Sequence, residues 1–204
     1  MSGIRYTLRV QDLAKKFNST LLFKSISFSV ETGGSLCVTG PNGSGKSTLL
    51  KILAGIMNPT GGAVSLAAAA DIPPCDWMNH IGYTGPLVNP YDDLTGLENI
   101  QFVLKSGNYA SRLDSLLRQF NLTQHRDKLV KHYSSGMKQR LRLILAVLND
   151  PPVLILDEPG TNLDAGGREA LSSFLDLARK QKIIVLATNE PGEEKLCGGG
   201  IRLG

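Results

Sequence analysis

The chain has 204 residues, 42% of them hydrophobic, with 22 basic against 18 acidic residues for a formal net charge of +4. That length buries one sizeable core but is short for two independent domains, and the longest apolar runs, "LILAVL" and "IIVLA", fall far below the roughly 18 to 20 residues that cross a bilayer. The basic residues are scattered rather than gathered into a nucleic-acid arm, and Cys37, Cys75 and Cys197 have neither the number nor the spacing of a disulfide framework or a zinc site.

The N-terminus "MSGIRYTLRV" alternates apolar and polar residues without a continuous hydrophobic region, so no secretory signal is read there and a soluble, cytoplasmic chain is expected. Residues 4 to 10 and 26 to 30 alternate with period two, the second run ending in "ETGG", and predict antiparallel strands with one wet face. By contrast "LCV" before Gly40, "VLIL" at 153 to 156 and "IIVLA" at 183 to 187 are continuously apolar, as strands of a parallel sheet covered on both faces are. The patch "AAAA" at 67 to 70 reads as a strand or a loop.

From about 86 to 145 the texture changes. "LTGLENIQFVL", "RLDSLLRQFNL" and "KQRLRLILAVL" carry helical spacing without apolar strand runs, which predicts a helical lobe inserted between core strands. Between the last two apolar strands, "EALSSFLDLARKQK" sets Ala170, Leu171, Phe174, Leu175 and Ala178 on one helical stripe, completing a βαβ unit. The expected fold is α/β: one domain over 1–204, its mainly parallel core formed by about 1–85 and 146–204. It carries an N-terminal antiparallel β subdomain and a helical subdomain at about 86–145.

"GPNGSGKST", residues 40 to 48, satisfies the phosphate-loop pattern G-x-x-x-x-G-K-[ST] immediately after an apolar strand and before "LLKILAGI". Gly40, Pro41, Asn42, Gly43, Ser44, Gly45, Lys46, Ser47 and Thr48 are therefore candidate ATP-binding residues. The glycines permit a tight loop whose N–H groups converge on phosphate oxygens, and the helix that follows adds the positive end of its dipole. Lys46 supplies a point charge to the β and γ phosphates, and the Ser47 hydroxyl is a Mg²⁺ ligand. Downstream, "VLILDEP" ends a buried strand in Asp157 and Glu158. Asp157 at that place is read as a Mg²⁺ ligand acting through water, and Glu158 as the group that accepts a proton from the attacking water or orients it. His80, His125 and His132 lack metal-ligand spacing and are read as surface or packing residues.

With this loop, "YSSGM" upstream of the acid pair and "TNLD" just after it, the sequence resembles the ATPase subunit of ATP-binding-cassette transporters over essentially its whole length. The resemblance implies that "YSSGM", standing where that family carries LSGGQ, closes over the nucleotide of a partner chain. Ser134 would be the matching hydroxyl and Gly136 the matching glycine, with Ser135 and Met137 in the same motif. It also implies that Phe17 stacks on adenine, although a lone Phe near a strand end is as often a core residue. Asp164 would lie in a loop linking the two sites across the dimer, or be only a solvated turn acid. Two positions depart from the family pattern: Pro86 stands where a glutamine reaches Mg²⁺ and water, and Asn189 stands where a histidine faces the γ-phosphate. Thr84 could substitute for the glutamine if its loop is shifted, and Asn189 still offers a neutral donor, so the resemblance implies slowed rather than abolished hydrolysis.

The expected partners are ATP with Mg²⁺, a second copy or a paralogous cassette, and a separate transmembrane permease, with no nucleic acid. The chain would then sit peripherally at the inner face of the cell membrane. Within the family, the compact single cassette and "YSSGMKQR" are similar to export-type systems such as the haem-exporter ATPase of cytochrome c maturation. An alternative is a regulatory module that holds ATP and rarely cleaves it. A cassette acting on ribosomes or DNA would need more than one cassette or a long coiled-coil insertion, and a small-molecule kinase has no need of "YSSGM" before "LDEP".

Overall fold

The N-terminal alternation folds into a hairpin, β1 (Thr7–Phe17) against β2 (Thr20–Glu31), closed at Asn18, whose short amide tolerates the left-handed backbone (φ 51) the turn requires. The computed structural model describes residues 4–86, 88–104, 110–189, 194 and 197–204. Both strands outrun the alternating stretches, because bulges that take up Asp12 (φ 46) and Ser25 (φ 57) break the period-two pattern while the pairing continues. After the "ETGG" turn come β3 (Ser35–Thr39), the phosphate loop and α1 (Lys46–Leu53). β4 (Gly61–Ala67) returns to pair with β1, and β5 (Asp71–Ile72) adds to it, giving an antiparallel sheet of order β2-β1-β4-β5. The alanine patch is split: Ala67 ends β4, and Ala68 to Ala70 bend toward β5.

The chain then enters a parallel sheet through β6 (Ile81–Thr84). Helices follow: α2 (Gly96–Val103), started by a Thr95/Glu98 capping box, α3 (Ala110–Gln119) and α4 (Ser135–Val147). β7 (Val153–Asp157), α5 (Ala165–Ala178), β8 (Ile183–Ala187) and β9 (Gly199–Arg202) complete the fold. The second sheet runs β6-β7-β8-β3-β9 with every pair parallel.

Burial explains the continuous apolar runs. Val153, Ile155, Ile183 and Val185 face a cluster shared with α1 and the antiparallel sheet, where Leu8, Leu13, Leu49, Leu53 and Leu66 are fully buried. Leu154, Leu156, Ile184 and Leu186 face a second cluster shared with α3, α4 and α5. Both faces of β7 and β8 are thus covered, and no position on either strand is free to be polar except at its end. On α5, Leu171, Leu175 and Ala178 are buried in the second cluster, and Ala170 and Phe174 pack against it, as the helical stripe requires. Among the described residues no helix is long and apolar enough to cross a membrane.

Candidate functional site

Parallel register decides where the chemistry lies. Val38 and Asp157 both pair with Ala187, so the carboxyl ends of β3, β7 and β8 stop at one level, and the segments leaving them start side by side. Ligands of open parallel sheets bind at that edge. A cleft of about 270 Å³ opens there, lined by Phe17, Leu22, Asn42, Gly43, Gly45, Lys46, Ser47, Thr48 and Glu158.

The phosphate loop is shaped by its glycines and by what presses on them. Gly40 (φ +144) has the Leu203 carbonyl 2.3 Å from where a Cβ would stand, and Gly45 (φ +100) has the Leu22 side chain at 2.8 Å, so neither place admits a side chain. Pro41, Asn42 and Gly43 form the exposed tip, and Ser44, Ser47 and Thr48 are half-buried. Gly45 is the N-cap of α1, whose first turn presents N–H groups that no preceding turn can use. Lys46 is only 6% exposed, and its ammonium donates to the carbonyls of Gly40 (2.8 Å) and Pro41 (3.1 Å), which aim it along the inside of the loop.

Asp157 ends β7 at 1% exposure, and neither carboxylate oxygen has a hydrogen-bond partner. Burial is the largest influence on its pKa and raises it above the ordinary 3.8, with the charge of Glu158 adding to the rise. The Ser47 hydroxyl, which approaches without reaching hydrogen-bonding geometry, and the charges of Lys51 and Lys46 oppose it. Neighbouring Tyr83 is pushed up to about 12, by burial first and by the Asp157 charge second. An orphaned buried carboxylate beside a serine hydroxyl and a phosphate loop is a donor set that fits Mg²⁺, a hard cation that takes one or two protein oxygens and fills its shell from phosphates and water. Among the described residues no cluster of three or more His, Cys, Asp or Glu builds a dedicated metal cage.

Glu158 follows in the left-handed region (φ 50), its N–H bonded to the Ala187 carbonyl at 2.8 Å. Its half-buried side chain points back over the cleft, where the Asn189 amide donates to Oε1 at 3.2 Å and to the Asn42 side-chain oxygen at 2.7 Å. Asn189 leaves β8 much as Glu158 leaves β7, so one short side chain spans the phosphate loop and the carboxylate. The Asn42 partner was not foreseen, because a loop residue chosen for backbone contacts gives no sign of what its amide reaches. Pro86 is exposed on the loop after β6. Thr84 is fully buried with an unpartnered hydroxyl and lies in β6 opposite Leu156, so it is part of the sheet rather than of a shifted loop.

Phe17 is 48% exposed at the end of β1, which removes it from the core. Lys15 sits over one ring face, 5.0 Å from the centroid, and bonds the Asn58 carbonyl at 2.8 Å. The remaining motif lies elsewhere. Ser134 is the N-cap of α4, its hydroxyl accepting from the Met137 N–H at 3.2 Å, and Ser134 and Ser135 are exposed. Gly136 and Met137 are half-buried, and a Cβ on Gly136 would stand 2.9 Å from the Asn162 carbonyl. None of these four lines the phosphate-loop cleft of the same chain. Asp164 is the N-cap of α5, accepting from the Gly167 N–H at 2.8 Å and pairing with Arg140 of α4; the Gly167 bond first and Arg140 second hold its pKa below the usual value.

A family profile described as "ABC transporter" matches residues 23–161. The chain is 35% identical over 198 residues to YdbJ of Bacillus subtilis (strain 168), an uncharacterized ABC transporter ATP-binding protein, covering 93% of this chain and 64% of that one. It is 36% identical over 160 residues to the cytochrome c biogenesis ATP-binding export protein CcmA of Xylella fastidiosa (strain 9a5c), covering 78% of this chain and 72% of that one. A solved structure of an ATP-binding subunit of an ABC transporter superposes with a TM-score of 0.84 at 29% identity, covering 96% of this chain and 85% of the other.

Proposed function

Because the chain belongs to the ABC transporter family, we propose that it binds ATP with Mg²⁺ and hydrolyses it to drive a separate transmembrane subunit of an export system. The side chain of Asn189, bound at once to Asn42 of the phosphate loop and to Glu158, is the observation that supports this best, since it gathers a phosphate cradle and a proton acceptor at one edge of the sheet. The cytochrome c relative is named as an export protein, which supports the direction.

In this reading the backbone from Gly40 to Gly45 cradles the phosphates, and Lys46 neutralises them from inside the loop. Thr48 and the first turn of α1 add N–H donors. Ser47 and Asp157 would hold Mg²⁺, which when bound neutralises phosphate charge. Glu158 accepts or orients the proton of the attacking water, and Asn189 keeps one N–H on that carboxylate and, on releasing Asn42, turns the other toward the γ-phosphate. Phe17 offers its free face to adenine. Ser134, Ser135, Gly136 and Met137 start α4 away from their own cleft, so they serve a nucleotide held by a second copy or a paralogous cassette, giving a dimer around two ATP with Asp164 near the joint. The phosphate-binding core and the helical insert at about 86–145 then form one cassette, held at the inner membrane face by its partner. Turnover is slow, because Pro86 brings no donor and a neutral amide is a weaker donor than a charged ring.

The test is phosphate release from ATP with and without Mg²⁺, for the whole chain and for Glu158→Gln. Mg²⁺-dependent turnover lost in Glu158→Gln supports the proposal. ATP that binds without being cleaved would turn the assignment to a regulatory nucleotide module, and no ATP binding would end both.

A further inference from the structure

Behind the cleft, two side chains of α4 bond to each other and to two separate segments. Gln139 is 5% exposed, and its amide donates to the Pro159 carbonyl at 3.0 Å and to the Glu158 carbonyl at 3.4 Å. Its oxygen accepts from Arg142 Nη1 at 3.1 Å, which settles the orientation of the amide, since a guanidinium only donates. Arg142 also donates to the loop after β6, with Nε to the Val88 carbonyl at 2.8 Å and Nη2 to Asn89 Oδ1 at 2.6 Å.

Glu158 requires such a support. A residue held at φ 50 persists only where its surroundings over-determine it, and Pro159 brings no N–H with which the chain could brace itself. The Ala187 carbonyl fixes Glu158 on its N–H side, while the Thr161 N–H at 3.2 Å and Gln139 fix it on its carbonyl side. Gln139 is the only one of these contacts made by a side chain from another element, and it comes from the helix whose N-terminus carries "SSGM".

We propose that Gln139 is a positioning residue that sets the Glu158 carboxylate through the Glu158–Pro159 backbone, and that Arg142 ties this setting to the loop at Val88 and Asn89. This rests on the hydrolytic role proposed for Glu158. The loop carrying Pro86, whose described residues do not line the cleft, thereby reaches the site from behind, and the helix that begins with the partner-facing motif touches the backbone of its own chain's Glu158.

The experiment compares the full chain with Gln139→Met, which keeps volume but not the donor, with Arg142→Met, and with the double variant. It reads kcat and KM for ATP, equilibrium ATP affinity, and amide exchange over residues 157–161. Gln139→Met is expected to lower kcat about tenfold, leave ATP affinity within about twofold, and speed exchange at 158–161. The double variant is expected to fall no further than Gln139→Met, because both act along one path. Unchanged kcat, a parallel loss of affinity, or fully multiplicative losses would overturn the proposal. If Gln139→Met does not fold, Gln139→Glu carries the test: a protonated Glu can donate to the same carbonyls, so its kcat deficit should shrink as pH is lowered, and a deficit that does not change with pH counts against positioning. A wild-type chain without turnover would sink the hydrolytic role alone, and exchange would still judge Gln139.

Discussion

The Asn189 side-chain amide lies 3.2 Å from the Glu158 carboxylate, across the gap between the ends of β8 and β7. Asn189→His should raise ATP turnover by up to about tenfold, the equivalent of about 1.4 kcal/mol gained from a stronger donor. Asn189→Asp should lower it, since it sets two carboxylates against each other. Phosphate release at saturating ATP measures both, and a histidine variant no faster than the parent would mean that the site is built around the amide.

Asp157 has the clearest consequence for stability. Its pKa in the folded chain is raised above 3.8, so the folded state holds the proton more firmly than the unfolded one, and the ionised form costs stability once pH rises through that window. At pH 7 in the absence of metal, Asp157→Asn should therefore raise Tm. The amide that replaces the carboxylate is equally buried but cannot ionise, so the expected change is a rise in Tm at pH 7 that follows the ionisation of Asp157. The gain should vanish below pH 3.8, and Mg²⁺ should no longer stabilise the variant. A melt that does not move at pH 7 would show that the carboxylate is better satisfied than its buried, unpartnered oxygens indicate.

The two ends of the nucleotide can be separated. Lys46→Ala should weaken binding of ATP and of inorganic tripolyphosphate alike by about 10- to 100-fold, from the loss of charge-assisted bonds of about 1.5–3 kcal/mol. Phe17→Ala should weaken ATP only, because tripolyphosphate has no base, and should barely alter Tm given that the ring is 48% exposed. Equal losses for both ligands in Phe17→Ala would remove the aromatic from the base site.

Mixing tests whether α4 serves a partner. Ser135→Asp places a carboxylate in the exposed first turn of α4, where the helix dipole favours it and no backbone is crowded, yet where it repels a phosphate. Ser135→Asp and Lys46→Ala should each be inactive alone, and exchange between differently tagged chains should restore ATP-dependent dimers with one intact site. Verified mixed dimers with no ATP bound at the joint would rule out action across the interface.

Much of this was legible because the informative residues are contiguous. "GPNGSGKST" and "LDEP" each come at the end of a continuously apolar run, and β7 and β8 read as buried from composition because both of their faces are covered. The short strands were harder. "IGYT" and "GGIR" become β6 and β9 through neighbours on the sheet, as four residues with two glycines in one case carry too little preference of their own. "GGAVSLA" was obscured by its alanines and became β4 by pairing with β1 over six positions. Gln139 and Arg142 look like the solvated face of a basic helix, and only the packing of α4 against the ends of β6 and β7 turns them inward.

The left-handed backbone at Glu158 sets durability against activity. A non-glycine residue there costs about 1–2 kcal/mol, so Glu158→Gly should melt higher than the parent while losing the acid proposed to serve turnover. Random variants of this chain selected only for surviving heat should therefore drift toward glycine at position 158, and the hardiest survivors would be the ones that no longer turn over.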